Sequence, residues 1–362
     1  MSTQPVINVL LVDDSPSSRL LLRHILNADT RFAILGEVGS GADALAFLKK
    51  RRPDVIVMDI HMPGMDGYET TREIMQTHPL PIVICTGVPS PDEASDKFLA
   101  LDAGALALVA KPAGPGHPQH AETAAKLVET IALMSEIRVV KRWPRERVLR
   151  GSPASPRPSS KPSAIDVIAI GTSTGGPPVL QAILAGLPAD LPAPVMIVQH
   201  ISVGFLPGLV EWLQQSTRFP LHIGAHGQLM QPGNAYLAPD CYHMGIGQQK
   251  QIVLSRSEPE NGLRPSVSFL FRSVASVCGP RSIAVLLTGM GRDGAQELKE
   301  LKTLGAITIA QDAESSVVHG MPGEAIRLGA AHYVLPPERI ATVVTNLTMG
   351  HSPESGRPRA AL

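Results

Sequence analysis

Ile165-Asp166-Val167-Ile168-Ala169-Ile170-Gly171-Thr172-Ser173-Thr174-Gly175-Gly176-Pro177-Pro178 decides how the rest of this chain is read. A β-branched apolar run ends in a glycine-flanked Ser-Thr pair, and two prolines lead into Val179-Leu180-Gln181-Ala182-Ile183-Leu184. The pattern predicts strand, tight turn and helix, because proline is tolerated in a first helical turn, where its missing N–H is no loss. Glycines permit the sharp reversal, and the first helical N–H groups face back into the turn. A serine hydroxyl held there is presented at the carboxyl end of the strand, beside a partial positive charge. Three uses fit such a turn: a helix cap, a nucleophile and an anion cradle. Neither G-x-x-x-x-G-K-[ST] nor G-x-G-x-x-G is matched, which weighs against the cradle. A nucleophilic Ser173 needs a histidine and a carboxylate at comparable strand ends.

Both are found further along. The apolar segment 193–198 runs into Gln199-His200, and 282–287 runs into Thr288-Gly289-Met290-Gly291-Arg292-Asp293-Gly294, ahead of a predicted helix over 295–304. In a parallel sheet, Ser173, His200 and Asp293 then reach one rim. Singly, His200 reads as a structural histidine and Asp293 as a helix cap; together they supply nucleophile, base and the group that orients the base. The order Ser, His, Asp differs from the α/β-hydrolase, chymotrypsin and subtilisin orders, and no G-x-S-x-G elbow is present. Met290 and Thr174 are the candidate oxyanion contacts. Arg264 is either a substrate contact or a loop tie, His243 is a further histidine to place near the cleft, and His319 reads as structural.

Upstream, apolar strands alternate with amphipathic helices, which predicts a second doubly wound parallel sheet. Its strands end at Asp13-Asp14, Asp59, Thr86 and Lys111, and Leu20, Leu21, His24 and Ile25 mark the apolar face of its first helix. Three clustered carboxylates repel one another unless a cation lies among them, and an all-oxygen set suits Mg²⁺. A carboxylate beside that ion can accept a phosphoryl group, with Lys111 and the Thr86 hydroxyl stabilising the new oxygens.

Composition bounds these readings. At 362 residues the chain is long for one domain, and a hydrophobic fraction of 44% sustains more than one core. The formal net charge of +0 provides no global field for nucleic acid or an anionic membrane. Cys85, Cys241 and Cys278 fit neither a disulfide framework nor a metal motif, which favours a reducing compartment. No leader-like segment opens the sequence and no apolar run reaches about 18 residues, so a cytoplasmic protein without membrane insertion is expected. Between residues 138 and 161 stand eight Lys/Arg against one Glu, with several prolines and serines. Such a stretch cannot bury enough surface to fold alone and reads as a linker. The expected domains are therefore 1–135, a linker over 136–163, a second domain over 164–349 and a tail over 350–362.

Leu10-Leu11-Val12-Asp13-Asp14, Met58-Asp59-Ile60-His61-Met62-Pro63-Gly64-Met65-Asp66-Gly67 and Lys111-Pro112 resemble a two-component response-regulator receiver domain. That resemblance covers the whole first domain and implies a flavodoxin-like fold with Asp59 as phosphoacceptor. It also implies Mg²⁺ held by Asp14, Asp59 and the His61 carbonyl, with Asp13 nearby. Leu108 stands where receivers usually carry a switching aromatic residue. In the second domain, Gly171-Thr172-Ser173-Thr174-Gly175-Gly176, Gln199-His200, Arg264-Pro265-Ser266-Val267, the loop from Leu287 to Gly294 and Gly320-Met321-Pro322-Gly323-Glu324-Ala325 resemble the chemotaxis protein-glutamate methylesterases. Thr172 departs from the small alanine common there. The resemblance implies cofactor-free hydrolysis of glutamyl methyl esters on chemoreceptors, deamidation of particular receptor glutamines, and phosphorylation by a chemotaxis histidine kinase. It further implies that the unphosphorylated receiver blocks the hydrolase. The alternative is a non-enzymatic response regulator whose second domain binds protein or DNA; neutral charge and the lack of a helix-turn-helix pattern weigh against it.

Overall fold

The computed structural model describes residues 6–87, 98–137 and 165–350. The chain divides into two compact units, Met1–Arg150 and Gly151–Leu362. The expected linker lies outside the described residues except for its first two positions, and the expected tail except for Gly350. No helix among the described residues is long and apolar enough to cross a membrane.

The first unit alternates β1 (Ile7–Val12), α1 (Pro16–Asn27), β2 (Phe32–Val38), α2 (Gly41–Leu48), β3 (Val55–Met58), α3 (Gly67–Thr77), β4 (Ile82–Thr86), α4 (Leu99–Asp102), β5 (Ala107–Ala110) and α5 (His120–Ser135). Its strands lie in the order β2-β1-β3-β4-β5, every pair parallel. Helices cover both faces of such a sheet, so β3 is buried at every residue rather than alternating. The apolar face of α1 is the expected one only in part, Leu21 being half-buried and Ile25 buried. Leu22, Ile25 and Leu26 are buried, whereas Leu20 is 56% exposed and His24 faces solvent. Two overlapping stripes satisfy the same helical period here, and packing on the sheet selects the one that includes Leu22 and Leu26.

The second unit runs β6 (Val167–Thr172), α6 (Gly176–Ala185), β7 (Val195–Gln199), α7 (Leu206–Thr217), β8 (Leu221–Ile223), β9 (Ala235–Leu237), β10 (His243–Ile246), β11 (Ile252–Ser255), α8 (Val267–Val277), β12 (Ser282–Leu286), α9 (Ala295–Thr303), β13 (Ile307–Gln311), α10 (Met321–Arg327), β14 (Tyr333–Leu335) and α11 (Pro337–Thr348). Seven strands form one parallel sheet in the order β14-β13-β12-β6-β7-β9-β8. The chain leaves β6 on one side for β7 and later returns on the other with β12. That reversal puts the carboxyl ends of β12, β6 and β7 side by side, the place where doubly wound sheets bind ligands.

The hairpin β10–β11 is a separate antiparallel pair. It carries His243 into the interior, wholly buried, stacked on Phe269 at 4.8 Å and donating from Nε2 to the Glu258 carbonyl at 3.1 Å. Helix α8 lays Val267, Leu270, Phe271 and Val274 into the core. Burying each large apolar side chain in this way stabilises by about 1.5–3 kcal/mol.

Gly171 shows how tightly α8 presses on β6. A Cβ at this position would stand 2.2 Å from Val267 Cγ1 and 3.1 Å from Leu286 Cδ1. Gly171→Ala is expected to lower unfolding free energy in urea by about 1–3 kcal/mol through overpacking. Adding Val267→Ala should relieve part of that loss, so that the double variant is less destabilised than the sum of the singles.

Candidate active site

Register places the proposed residues before any side chain is considered. Thr172 pairs with Gln199 across β6 and β7, and Gly171 with Leu286 across β6 and β12. The ladders extend one step beyond the strands: His200 N–H donates to the Thr172 carbonyl at 3.0 Å, and Ser173 N–H to the Thr288 carbonyl at 3.0 Å. Ser173 therefore leaves the sheet between the ends of its two neighbours. Gly289 lets the loop after β12 pass close by, since a Cβ there would lie 2.6 Å from Ser173 Cβ.

Neither Ser173 nor Asp293 caps the helix that follows it. Gly175, at φ 76°, is the N-cap of α6, and Gly294, at φ 83°, the N-cap of α9. Both left-handed positions suit glycine and take the capping position away from the preceding polar residue. Among the described residues the Ser173 hydroxyl is not engaged in a hydrogen bond, and the residue is half-buried. Asp293 serves a different helix, α8. Its Oδ1 accepts from Ser266 Oγ at 2.9 Å and Ser268 N–H at 3.1 Å, and its Oδ2 from Val267 N–H at 2.6 Å. Ser266 is itself the buried N-cap of α8, accepting from Phe269 N–H.

His200 Nε2 stands 3.1 Å from Asp293 Oδ2, within ion-pair reach though not aligned as a hydrogen bond. With Nε2 turned to the carboxylate, Nδ1 is the ring nitrogen left for a serine. Burial works against the charge on Asp293, yet His200, Ser268 and the Val267 amide outweigh it and bring the pKa down to about 2. A helix N-terminus around a buried carboxylate favours the same ionised state.

The remaining candidates sort by what already engages them. The backbone N–H groups of Thr174 and Met290 donate to nothing among the described residues. The Ser173 N–H is spent on Thr288. Arg264 Nη1 donates to the carbonyls of Arg256 and Ser257 at 3.1 and 3.0 Å, so the side chain ties down the loop after β11. His319 is half-buried with Nδ1 3.3 Å from Ser316 Oγ, and burial lowers its pKa. Thr172, wholly buried, turns its hydroxyl to the Thr288 carbonyl at 3.2 Å.

Sequence reasoning did not single out Thr288, which joins four segments. Its N–H donates to Gln311 Oε1 at 2.8 Å, its hydroxyl to the Thr174 carbonyl at 3.0 Å, and the hydroxyl accepts from Val318 N–H at 2.9 Å. Ser266 was missed as well, although a serine just before the apolar period of α8 is a recognisable N-cap signal.

In the first unit the strand order reverses between β1 and β3, and Asp13, Asp14 and Asp59 gather there, each offering an oxygen within 4.8 Å of the others. Lys111 Nζ lies 2.7 Å from both Asp13 Oδ2 and Asp59 Oδ2. Burial raises the pKa of Asp13; burial also opposes the Lys111 charge, but its hydrogen bonds to Asp13 and Asp59 prevail and raise its pKa. Thr86 Oγ1 is buried without a hydrogen-bond partner among the described residues. Asp14 is exposed, so the all-oxygen set is open on one side, as a partly hydrated Mg²⁺ requires. The His61 side chain is exposed, and Leu108 is half-buried in β5.

Comparison with known proteins agrees with this division. The response regulator receiver domain family model matches residues 9–121, and that of the CheB methylesterase matches residues 168–344. The chain is 52% identical over 346 residues to the protein-glutamate methylesterase/protein-glutamine glutaminase of Nitrosospira multiformis, covering 94% of this chain and 97% of the relative. A Geobacter metallireducens protein of the same description is 50% identical over 345 residues, covering 95% and 99%. The crystal structure of the Thermotoga maritima CheB methylesterase catalytic domain matches with a TM-score of 0.50 and 36% identity, covering 51% of this chain and 100% of that one.

The depressed pKa of Asp293 has a consequence for stability. A carboxylate whose folded pKa lies below its unfolded value stabilises the fold above about pH 4, and that contribution disappears as pH falls toward 2. Asp293→Asn should therefore cost on the order of 2 kcal/mol in urea unfolding at pH 7. The gap to the wild type should shrink as pH drops from about 4 to 2.

Proposed function

This chain belongs to the protein-glutamate methylesterase/protein-glutamine glutaminase family, and on that footing we propose that it is a phosphorylation-controlled serine hydrolase of chemoreceptors, removing methyl esters from glutamates and deamidating particular glutamines. The contact between buried, ionised Asp293 and His200, at the strand end beside Ser173, is the observation that carries this reading.

His200 accepts the Ser173 proton at Nδ1, and Asp293 balances the charge that the imidazole gains. The Ser173 oxygen attacks the ester carbonyl carbon, and the N–H groups of Thr174 and Met290 receive the oxyanion, a contribution of roughly 2.7–4 kcal/mol per donor in other enzymes. The imidazolium returns its proton to the leaving oxygen, and methanol departs. Water, deprotonated by His200, then attacks the glutamyl-serine ester, and the imidazolium returns that proton to Ser173 Oγ as its bond to the acyl carbon breaks, freeing the glutamate and restoring the serine. A glutamine side chain follows the same course with ammonia as the leaving group. No step in this sequence uses a cofactor.

Asp59 is the phosphoacceptor, with a histidine kinase as phosphodonor. Asp14, Asp59 and the His61 carbonyl would hold Mg²⁺, with Asp13 beside them; when bound, the ion neutralises charge on the transferring group. Lys111 and the Thr86 hydroxyl take the new phosphoryl oxygens. The all-oxygen cluster and the partnerless Thr86 hydroxyl support this arrangement.

Ser173→Ala is expected to abolish methanol release from methylated receptors, a loss of at least about 10³-fold, while the fold is retained by circular dichroism. Turnover comparable to the wild type would remove Ser173 from the mechanism. Acetyl phosphate with Mg²⁺ should raise the methanol-release rate of the wild type and leave Asp59→Asn unchanged. Equal stimulation of that variant would refute Asp59 as the control point.

A further inference from the structure

We propose that Gln199 is a positioning residue that sets the spacing between Ser173 and His200, an inference that rests on the hydrolase reading above. The Gln199 side chain is 4% exposed and lies at the last residue of β7, directly before His200. Its Nε2 donates to the Ser173 carbonyl at 2.8 Å and to the His200 carbonyl at 2.9 Å. A primary amide has two N–H donors on one nitrogen, so a single group holds the backbone of both residues at once. The ladder between β6 and β7 ends with the bond from His200 N–H to the Thr172 carbonyl. Beyond that point the two chains diverge, toward the turn before α6 on one side and the loop before α7 on the other. Gln199 replaces the missing rung.

Two features distinguish this clamp from ordinary packing. Gln199 Oε1 is buried and has no hydrogen-bond partner among the described residues. Leaving such an acceptor unpaired is costly, and an apolar side chain of the same shape would avoid that cost at the expense of both donors. The amide also presses against the start of α6, where a Cβ on Gly176 would stand 2.2 Å from Oε1 and 2.3 Å from Thr172 Oγ1. Its orientation is thereby fixed from one side by the helix and from the other by the two carbonyls. Displacing a base from its nucleophile by about 1 Å can cost 10²-fold in rate, so the spacing of these two backbones bears directly on turnover.

The test is a double-mutant cycle in the full chain. Gln199→Met keeps the volume and removes the donors; its kcat for methanol release should fall about 10- to 100-fold with KM within about threefold of the wild type. The second readout is the rate of Ser173 labelling by a fluorophosphonate at pH 9. Gln199→Met should slow it when His200 is present, and change it less than twofold in the His200→Ala background, where there is no base left to position. An unchanged kcat, or the same loss with and without His200, would overturn the proposal. If Gln199→Met is recovered only as aggregate, Gln199→Asn, which keeps the amide but is too short to span both carbonyls, enters the same cycle under the same criteria. Wild-type methanol release that is lost in Ser173→Ala leaves the hydrolase reading standing even if the Gln199 variants turn over normally. A wild type that releases no methanol would remove that reading itself.

Discussion

The carboxylate of Asp293, sunk at the N-terminus of α8, is the interaction on which the hydrolase rim depends. Removing a charge from water is expensive, and burial alone would neutralise this group. Ser266, Val267 and Ser268 offset that cost by turning three donors onto it, and His200 adds the contact that gives the charge a use. Because the donors belong to α8 and the carboxylate to the loop after β12, the same set of bonds joins that loop to the helix. Charge stabilisation and tertiary closure are one arrangement here.

Both units place their polar chemistry by the same rule and then use it differently. In each, the strand order reverses beside a central strand, and the residues after the flanking strands converge. The first unit gathers three carboxylates, two of them on one lysine and the third, Asp14, left open to water, a cluster whose charge a cation would balance. The second gathers one carboxylate, one imidazole and one hydroxyl, with the carboxylate wholly enclosed. Open geometry suits transfer of a charged group; an enclosed carboxylate suits proton movement in a site of low dielectric.

Around the hydrolase site, side chains without a chemical role do much of the holding. Thr288 binds the turn after β6, the segment at Val318 and Gln311 at the end of β13, so three segments are tied at one residue. Arg264, open between substrate contact and loop tie on its sequence, is bound to two carbonyls of the loop after β11. His243 is buried against Phe269, its Nε2 on the Glu258 carbonyl. A polar residue near a motif is as often part of its support as of its chemistry, and only its partners tell which.

The strand ends were legible in the amino-acid sequence because buried parallel strands are continuous apolar runs, and the polar residue that stops each run is by construction at the sheet's rim. Asp13, Asp14, Asp59, Thr86 and Lys111, and likewise Ser173 and His200, were read that way, along with the two-unit α/β plan; Asp293 was read from the glycine-rich loop beyond the run that Thr288 stops. The buried stripe of α1 was not read in full, since two stripes fit one helical period and contact with the sheet chooses between them. Nor was the hold of α8 on Asp293, the junction at Thr288 or the two-armed amide of Gln199. Those depend on which carbonyl or amide lies opposite a given side chain across a ladder or loop, and such pairings exist only once residues separated by dozens or more than a hundred positions have been folded into register.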